Sequence, residues 1–277
     1  MEYIKLNDGN RIPALGIGTF MLQPDDCENA VLAALECGYR HIDTANAYMN
    51  ERACGRAMKR SGVAREEIFL TTKLFPCSYK QADKEIDATL KRLGTEYIDL
   101  LLLHQPYGDV KNAWQALERA VRAGKVKSIG VSNFEPKDLK KLLSYAAVKP
   151  ALLQCECHPY HAMDDMRNEL PIEAWYPLGH GDAGLLNEPV FGELGKKYGK
   201  TPAQIVLRWH IQKGNVVIPG SKNPDHIREN FEIFDFALTD EEMAKIAKLD
   251  GKKKFFKMPA PMALAMPLMK MDFDAQK

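Results

Sequence analysis

Short apolar runs recur at residues 14–18, 41–43, 68–72, 98–103, 128–131, 151–155, 172–175 and 216–218, and each predicts a β-strand. Between them the apolar positions change to helical spacing. Ala30, Val31, Ala34 and Leu35 mark one amphipathic stretch, Ala53, Ala57 and Met58 a second, Ile86, Leu90 and Leu93 a third, and Trp114, Leu117, Ala120 and Val121 a fourth. Strand alternating with helix through most of the chain implies a parallel sheet. Eight strands imply its closed form, an α/β (β/α)8 (TIM) barrel. Ahead of it, Ile4-Lys5-Leu6 and Arg11-Ile12-Pro13 flank an Asp8-Gly9 turn and read as a β-hairpin.

Two places disturb the alternation. Only about a dozen residues, from Tyr160 to Pro171, separate the sixth strand from the seventh, near the minimum for a parallel crossover, so the helix there must be short or irregular. After the seventh strand, two helical stretches at 190–198 and 203–212 precede the eighth, and one of them is additional to the barrel. No Pro-, Gly- or Ser-rich linker intervenes. The expectation is a single domain over 1–277, with the barrel at about 14–250 and a tail at 251–277.

Length agrees, since 277 residues is close to the roughly 250 typical of this barrel. Lys and Arg total 38 against 37 Asp and Glu, leaving no global field for a polyanion, so nucleic acid is not an expected partner. No apolar run approaches the ~18 residues of a spanning helix, and the N-terminus has no basic-then-apolar leader. No membrane partner is expected. Six cysteines, mostly scattered singly, suit a reducing compartment, and the expected location is cytoplasmic. Cys155 and Cys157 have no second pair at zinc-finger spacing, and no metal site is expected.

In such a barrel the active site forms where strands end, so ionisable residues at strand C-termini carry the information. Asp43 ends the second strand, with Tyr48 in the loop beyond it; Lys73 follows the third, and His104 follows the fourth. Singly, each has an ordinary reading: Asp43 with Thr44 as a helix cap, Tyr48 as packing, Lys73 as a solvated lysine, His104 as a core histidine. Consecutive strands nevertheless aim all four at one region, and their chemistry is complementary. An ammonium beside a phenol lowers its pKa by stabilising phenolate, and an aspartate keeps that ammonium charged. Tyr48 would then protonate a carbonyl oxygen polarised by His104 while hydride reaches the carbon from a cofactor.

At this point the chain resembles the aldo-keto reductases, over roughly residues 3–250. The likeness is carried by Gly16-Ile17-Gly18-Thr19-Phe20, by the run from Gly38 through Arg40-His41-Ile42-Asp43 to Ala45 with Tyr48, and by Thr71-Thr72-Lys73. It continues in Tyr97-Ile98-Asp99-Leu100, Leu103-His104-Gln105-Pro106, Ile129-Gly130-Val131-Ser132-Asn133-Phe134, Glu173-Ala174-Trp175 and Pro177-Leu178-Gly179. The resemblance implies NAD(P)H-dependent reduction of aldehydes and ketones, with Asp43, Tyr48, Lys73 and His104 as the catalytic tetrad.

It also implies a cofactor face. Ser132, Asn133 and Gln154 match holders of the nicotinamide carboxamide, Trp175 matches the aromatic stacked on the ring, and Gly18, Thr19, Phe20, Tyr176 and Leu178 complete that end. Ser221, Lys222, His226, Glu229 and Asn230 match the pyrophosphate and adenine end, where a helix starting near Pro224 offers an anion site on physical grounds as well. The family usually has lysine at Gly220 and arginine at His226, which grip the 2′-phosphate of NADPH. NADP(H) is the first expectation and NAD(H) its rival, with Lys222 or Arg228 as substitute cations. Tyr176 stands where serine is frequent and Gln105 where a pocket tryptophan is frequent.

His158 and His161 fall in a His-Pro-Tyr run that the family carries without metal; His41, His180 and His210 read as structural or exposed. Two other functions fit the fold: a nucleotide-binding regulatory subunit, opposed by the intact tetrad, and a metal-dependent hydrolase, opposed by the lack of a carboxylate and histidine cluster at the strand ends. The expected partner is a small carbonyl or alcohol substrate, and the expected state a monomer. The tail carries Met258, Met262, Met266, Met269 and Met271 among Pro259, Pro261 and Pro267. Such a composition predicts no regular helix, leaving either a loose end or an apolar flap over the pocket.

Overall fold

The chain opens on an antiparallel hairpin, β1 (Tyr3–Lys5) and β2 (Arg11–Pro13), turned at Gly9 with φ +92°. In the computed structural model, which describes residues 1–277, eight parallel strands follow in chain order. They are β3 (Ile17–Gly18), β4 (His41–Asp43), β5 (Phe69–Leu74), β6 (Ile98–Leu103), β7 (Val126–Ser132), β8 (Leu153–Glu156), β9 (Ile172–Trp175) and β10 (Val216–Val217). The sheet closes because the segment before β3 returns to β10: Gly16 donates its N–H to Val217 O at 2.8 Å, and Val217 donates to Ala14 O at 2.9 Å. The result is a (β/α)8 barrel.

The helices that separate the first strands are α1 (Pro24–Cys37), α2 (Glu51–Ser61), α3 (Ala82–Leu93), α4 (Val110–Arg122) and α5 (Pro136–Leu143). Between β8 and β9 there is one turn, α6 (Asp164–Arg167), as the short spacing requires. Between β9 and β10 lie α7 (Ala183–Leu186), α8 (Pro189–Tyr198) and α9 (Pro202–Gln212); α10 (Pro224–Phe231) and α11 (Asp240–Ala247) complete the ring. Thr201 and Thr239 start α9 and α11 through capping boxes with Gln204 and Glu242.

Period-two alternation sorts the strand side chains. Ile42, Leu70, Leu101, Ile129 and Leu153 join the large core shared with the helices. The alternate positions Leu100, Leu102, Leu152 and Val216 pack with Leu6 and Ile12, so the hairpin plugs the N-terminal end of the barrel. Asn10 Nδ2 fastens it to Ser128 Oγ at 2.9 Å. With that end shut, the polar interior positions His41, Asp43, Lys73, Gln154 and Glu173 are buried beneath the opposite mouth.

The tail corrects an expectation. Residues Ala260–Ala265 form α12, with Pro259 as its cap and Pro261 in the first turn, where a missing N–H interrupts nothing. The tail then runs past the loop after β6 to helices α2 and α3 and is fastened at several points. The Pro267 ring fits against Gly108, the Arg92 guanidinium holds Asp274 at 3.0 Å, and Gln276 Oε1 accepts from the Arg52 N–H at 2.9 Å. It is a strap, not a loose end.

Helices α2 and α3 touch backbone to backbone at Gly55, where an added Cβ would sit 2.5 Å from Leu93 O; at Gly192 in α8 an added Cβ meets nothing within 4 Å. Gly55→Ala should therefore lower stability by about 1–3 kcal/mol through overpacking. Gly192→Ala should raise it by about 0.5–1 kcal/mol by restricting the unfolded chain. Urea unfolding of both variants checks the pair, and equal effects would contradict the α2–α3 packing.

Candidate active site

The mouth is built from strand ends. Asp43 closes β4 and Lys73 lies one residue before the end of β5, both buried. Lys73 Nζ donates to Asp43 Oδ1 at 2.6 Å and to Thr44 O at 2.7 Å. Burial pushes the ammonium pKa down, but Asp43, Tyr48 and Glu173 together outweigh it and leave Lys73 above its ordinary value. The carboxyl of Asp43 is raised by burial, against the pull of Lys73 and of the Gln154 amide.

Tyr48 ends the single turn Asn46–Tyr48, placing its ring centroid 4.9 Å from Lys73 Nζ and 5.5 Å from the His104 ring, edge-on. Its pKa departs from the sequence expectation. Burial pushes the phenol up, Lys73 lowers it as anticipated, Asp43 raises it again, and the net value is about 12. The ammonium does stabilise phenolate, but desolvation is the larger effect.

His104 follows β6 and is held neutral, its pKa lowered by burial and then by Lys73. Its Nδ1 is buried without a partner. A bare lone pair is less costly there than an orphaned N–H, so the tautomer with its proton on Nε2, facing the mouth, is favoured. Phe20 and Phe75 pack on the two rings, with centroids 5.1 Å from Tyr48 and 5.8 Å from His104.

The residues expected around a nicotinamide form one network. Asn133, at φ +63°, donates from Nδ2 to His104 O at 3.1 Å and to Ser132 Oγ at 3.0 Å, and its Oδ1 accepts from Trp175 Nε1 at 3.0 Å. Gln154 Nε2 donates to Asp43 Oδ2 at 2.8 Å. Thr19 anchors its turn through Oγ1 to Asp43 O at 3.0 Å, and Trp175 stands edge-on to Tyr176 at 4.7 Å, with Leu178 two residues further along the same loop. Two amides, a hydroxyl and an indole beside the tetrad suit a planar carboxamide-bearing ring, so the residues present fit the group.

The adenine end is less basic than the substitutes suggested. Lys222 lies 3.9 Å from Asp26 and Arg228 pairs with Asp225 at 3.1 Å, so both expected replacement cations already have acidic neighbours. Glu229 accepts from Thr201 Oγ1 at 2.6 Å, Asn230 is buried, and Ser221 Oγ accepts from the Asn223 N–H at 3.0 Å ahead of α10. His226 lies exposed in the first turn. A Cβ at Gly220 would lie 2.9 Å from Gly18 O, so this loop has closed onto the backbone where the usual lysine would stand.

Sequence reading missed four contributors. Glu156 accepts from the backbone N–H groups of Phe255 and Phe256, the latter at 3.1 Å, and from His158 Nε2 at 3.0 Å, and so ties the strap to β8. Phe256 thereby lies 5.8 Å from Trp175. Glu173 and His41 meet inside the barrel with 3.4 Å between Oε1 and Nε2. Their signal was present: each is ionisable and falls in the inward register of its strand. His210 is buried against Pro177 O at 3.3 Å and Asn215, and His180 stacks on Tyr176 at 4.4 Å.

Removing the charge of Asp43 leaves a buried ammonium without its counter-ion. Asp43→Asn should cost about 3–5 kcal/mol of stability, the usual cost of breaking a buried pair on one side. Urea unfolding at neutral pH measures it, and a loss under about 1 kcal/mol would mean the pair is not buried as described.

Comparison with known proteins gives a concordant result. The model of the "Aldo/keto reductase family" matches residues 14–182 and 182–251. The chain is 42% identical over 259 residues to methylglyoxal reductase DkgA of Escherichia coli, covering 91% of this chain and 94% of that protein. It is 43% identical over 262 residues to the 9,11-endoperoxide prostaglandin H2 reductase of Trypanosoma cruzi, covering 91% and 92%. A crystal structure of an aldo/keto reductase from Brucella melitensis superposes with a TM-score of 0.86 at 45% identity, over 90% of this chain and 99% of that one.

Proposed function

This chain belongs to the aldo/keto reductase family and reduces aldehydes or ketones with NAD(P)H, and we propose that Tyr48 is the proton donor of that reaction. The observation that carries the assignment is the buried Lys73–Asp43 pair at 2.6 Å, with the ammonium 4.9 Å from the Tyr48 ring. A bound reduced nicotinamide supplies the hydride, which no side chain provides. His104 orients and polarises the substrate oxygen through Nε2–H. As that oxygen gains alkoxide character it becomes more basic than phenolate, so Tyr48 delivers its proton even from a pKa near 12, and Lys73 steadies the phenolate left behind. Asn133, Ser132, Gln154 and Trp175 hold and orient the nicotinamide, and the start of α10 with Ser221 receives the pyrophosphate.

We propose NADPH as the preferred cofactor with weak discrimination against NADH, because the two usual cations are absent and Lys222 and Arg228 have acidic neighbours. The aromatic rim of Phe20, Phe75 and Phe256 favours compact aldehydes, in keeping with a relative named for methylglyoxal. The site as read needs no residue from a second subunit, and we propose a monomer. Six free cysteines support a reducing, cytoplasmic setting.

Tyr48→Phe should lower kcat by about 10² to 10⁴ while NADPH affinity, followed by fluorescence titration, stays within a factor of two. Half the wild-type kcat in this variant would remove Tyr48 from the role. His226→Arg should shift preference toward NADPH by about 1.5 kcal/mol, roughly tenfold, read from the ratio of kcat/KM for the two cofactors. Adding Gly220→Lys should gain less than a second such step, because its Cβ must first displace the Gly18 backbone. A wild type that rejects NADH outright would overturn the cofactor proposal.

A further inference from the structure

Beneath the tetrad lies an acid that the reaction as described leaves unused. Glu173 is fully buried in the interior register of β9. The Gln154 amide joins it to the tetrad, with Nε2 donating to Asp43 Oδ2 at 2.8 Å and to Glu173 Oε2 at 2.9 Å. The other oxygen, Oε1, has no hydrogen-bond partner and lies 3.4 Å from His41 Nε2. His41 is equally buried and its Nε2 is 3.0 Å from Thr71 Oγ1.

The charges cannot all stand as written. Lys73 provides one buried positive charge and Asp43 balances it at 2.6 Å. A Glu173 carboxylate would add an unbalanced buried negative charge, with one oxygen lacking any donor, and an isolated carboxylate in an apolar interior takes up a proton instead. The titratable groups facing it are His41 and Asp43 from β4, Lys73 from β5 and Tyr48 from the turn after β4; β8 contributes the Gln154 amide, and β10 places Val216 opposite. His41 does not provide the missing positive charge. Burial, then Lys73, lowers its pKa to about 3.

We propose that Glu173 is a positioning residue held as the neutral acid, keeping Lys73–Asp43 the only charged pair below Tyr48 and thereby setting how readily Tyr48 gives up its proton. As the acid, it accepts from Gln154 at Oε2 and carries its proton on Oε1, the oxygen that no donor reaches. Gln154 is thus held with its amide on Asp43. Burial, reinforced by the Asp43 charge, lifts the Glu173 pKa to about 8. Above that pH the proton leaves to solvent, and the new carboxylate opposes phenolate at Tyr48 and raises the Tyr48 pKa. Reduction then slows as pH rises, by up to roughly tenfold for each unit added to the Tyr48 pKa.

The inference about rate rests on Tyr48 as proton donor, whereas the inference about the proton does not, so two measurements separate them. In the cofactor-free protein, infrared spectroscopy should show a protonated-carboxyl band at pH 7 that titrates away near pH 8 and is missing from Glu173→Gln. A carboxyl-labelled NMR titration of the wild type gives the same answer if that variant does not fold. In the assay, kcat/KM for aldehyde reduction should fall above about pH 8 in the wild type. Glu173→Gln should stay within threefold of the wild type at pH 7 and lose that fall. A Glu173 carboxyl already ionised at pH 6 would overturn the proposal, as would an unchanged alkaline fall in Glu173→Gln. A wild type with the predicted band but no aldehyde turnover would count against the functional reading alone.

Discussion

The Lys73 ammonium has no exposed surface, and it lies 2.6 Å from a carboxylate that is buried almost as completely. An isolated ammonium in that position would lose its proton, and an isolated aspartate would gain one. Together both stay charged, and the remainder of the mouth follows from that. Thr44 turns its carbonyl to the ammonium, Thr19 ties its turn to Asp43 O, and Gln154 spends its amide on the second Asp43 oxygen. Tyr48 and His104 then meet a fixed positive field from one side. That field makes phenolate easier and imidazolium harder, as the roles proposed for Tyr48 and His104 require.

The barrel makes this pair possible by closing its other end. Leu6 and Ile12 of the hairpin pack under the strands, so apolar side chains fill the end of the barrel opposite the polar interior positions. The strap is fixed at both its ends. Glu156 holds Phe255 and Phe256 at one side, and Arg92 with Arg52 holds Asp274 and Gln276 at the other. Between these anchors the chain passes the loop after β6, where Pro267 packs against Gly108.

Much of this is legible in the sequence, for definite reasons. Asp43 and His104 can be read because each interrupts an apolar run at its C-terminal end, where a barrel places its chemistry. The short α6 follows from the tight spacing before β9. Other features depend on facts that periodicity does not carry. Glu173 and His41 lie within runs, and only the inter-strand register brings their side chains together. The phenol pKa of Tyr48 depends on how deeply the ring is packed, a quantity that outweighs the neighbour visible in the pattern. The tail shows helix at 260–265 because its prolines fall at the cap and first turn, where they are harmless, and composition alone does not reveal that placement. The closure of Gly220 onto Gly18 is likewise a contact between segments far apart in sequence.

Lys73 acts on Tyr48 through its charge. NMR titration of the Tyr48 phenol carbon, in the cofactor-free wild type and in Lys73→Met, measures that action without any assay of turnover. A wild-type value near 12 is expected, with a higher one in Lys73→Met, since burial remains while the only cation is gone. An unchanged or lower value in Lys73→Met would contradict it.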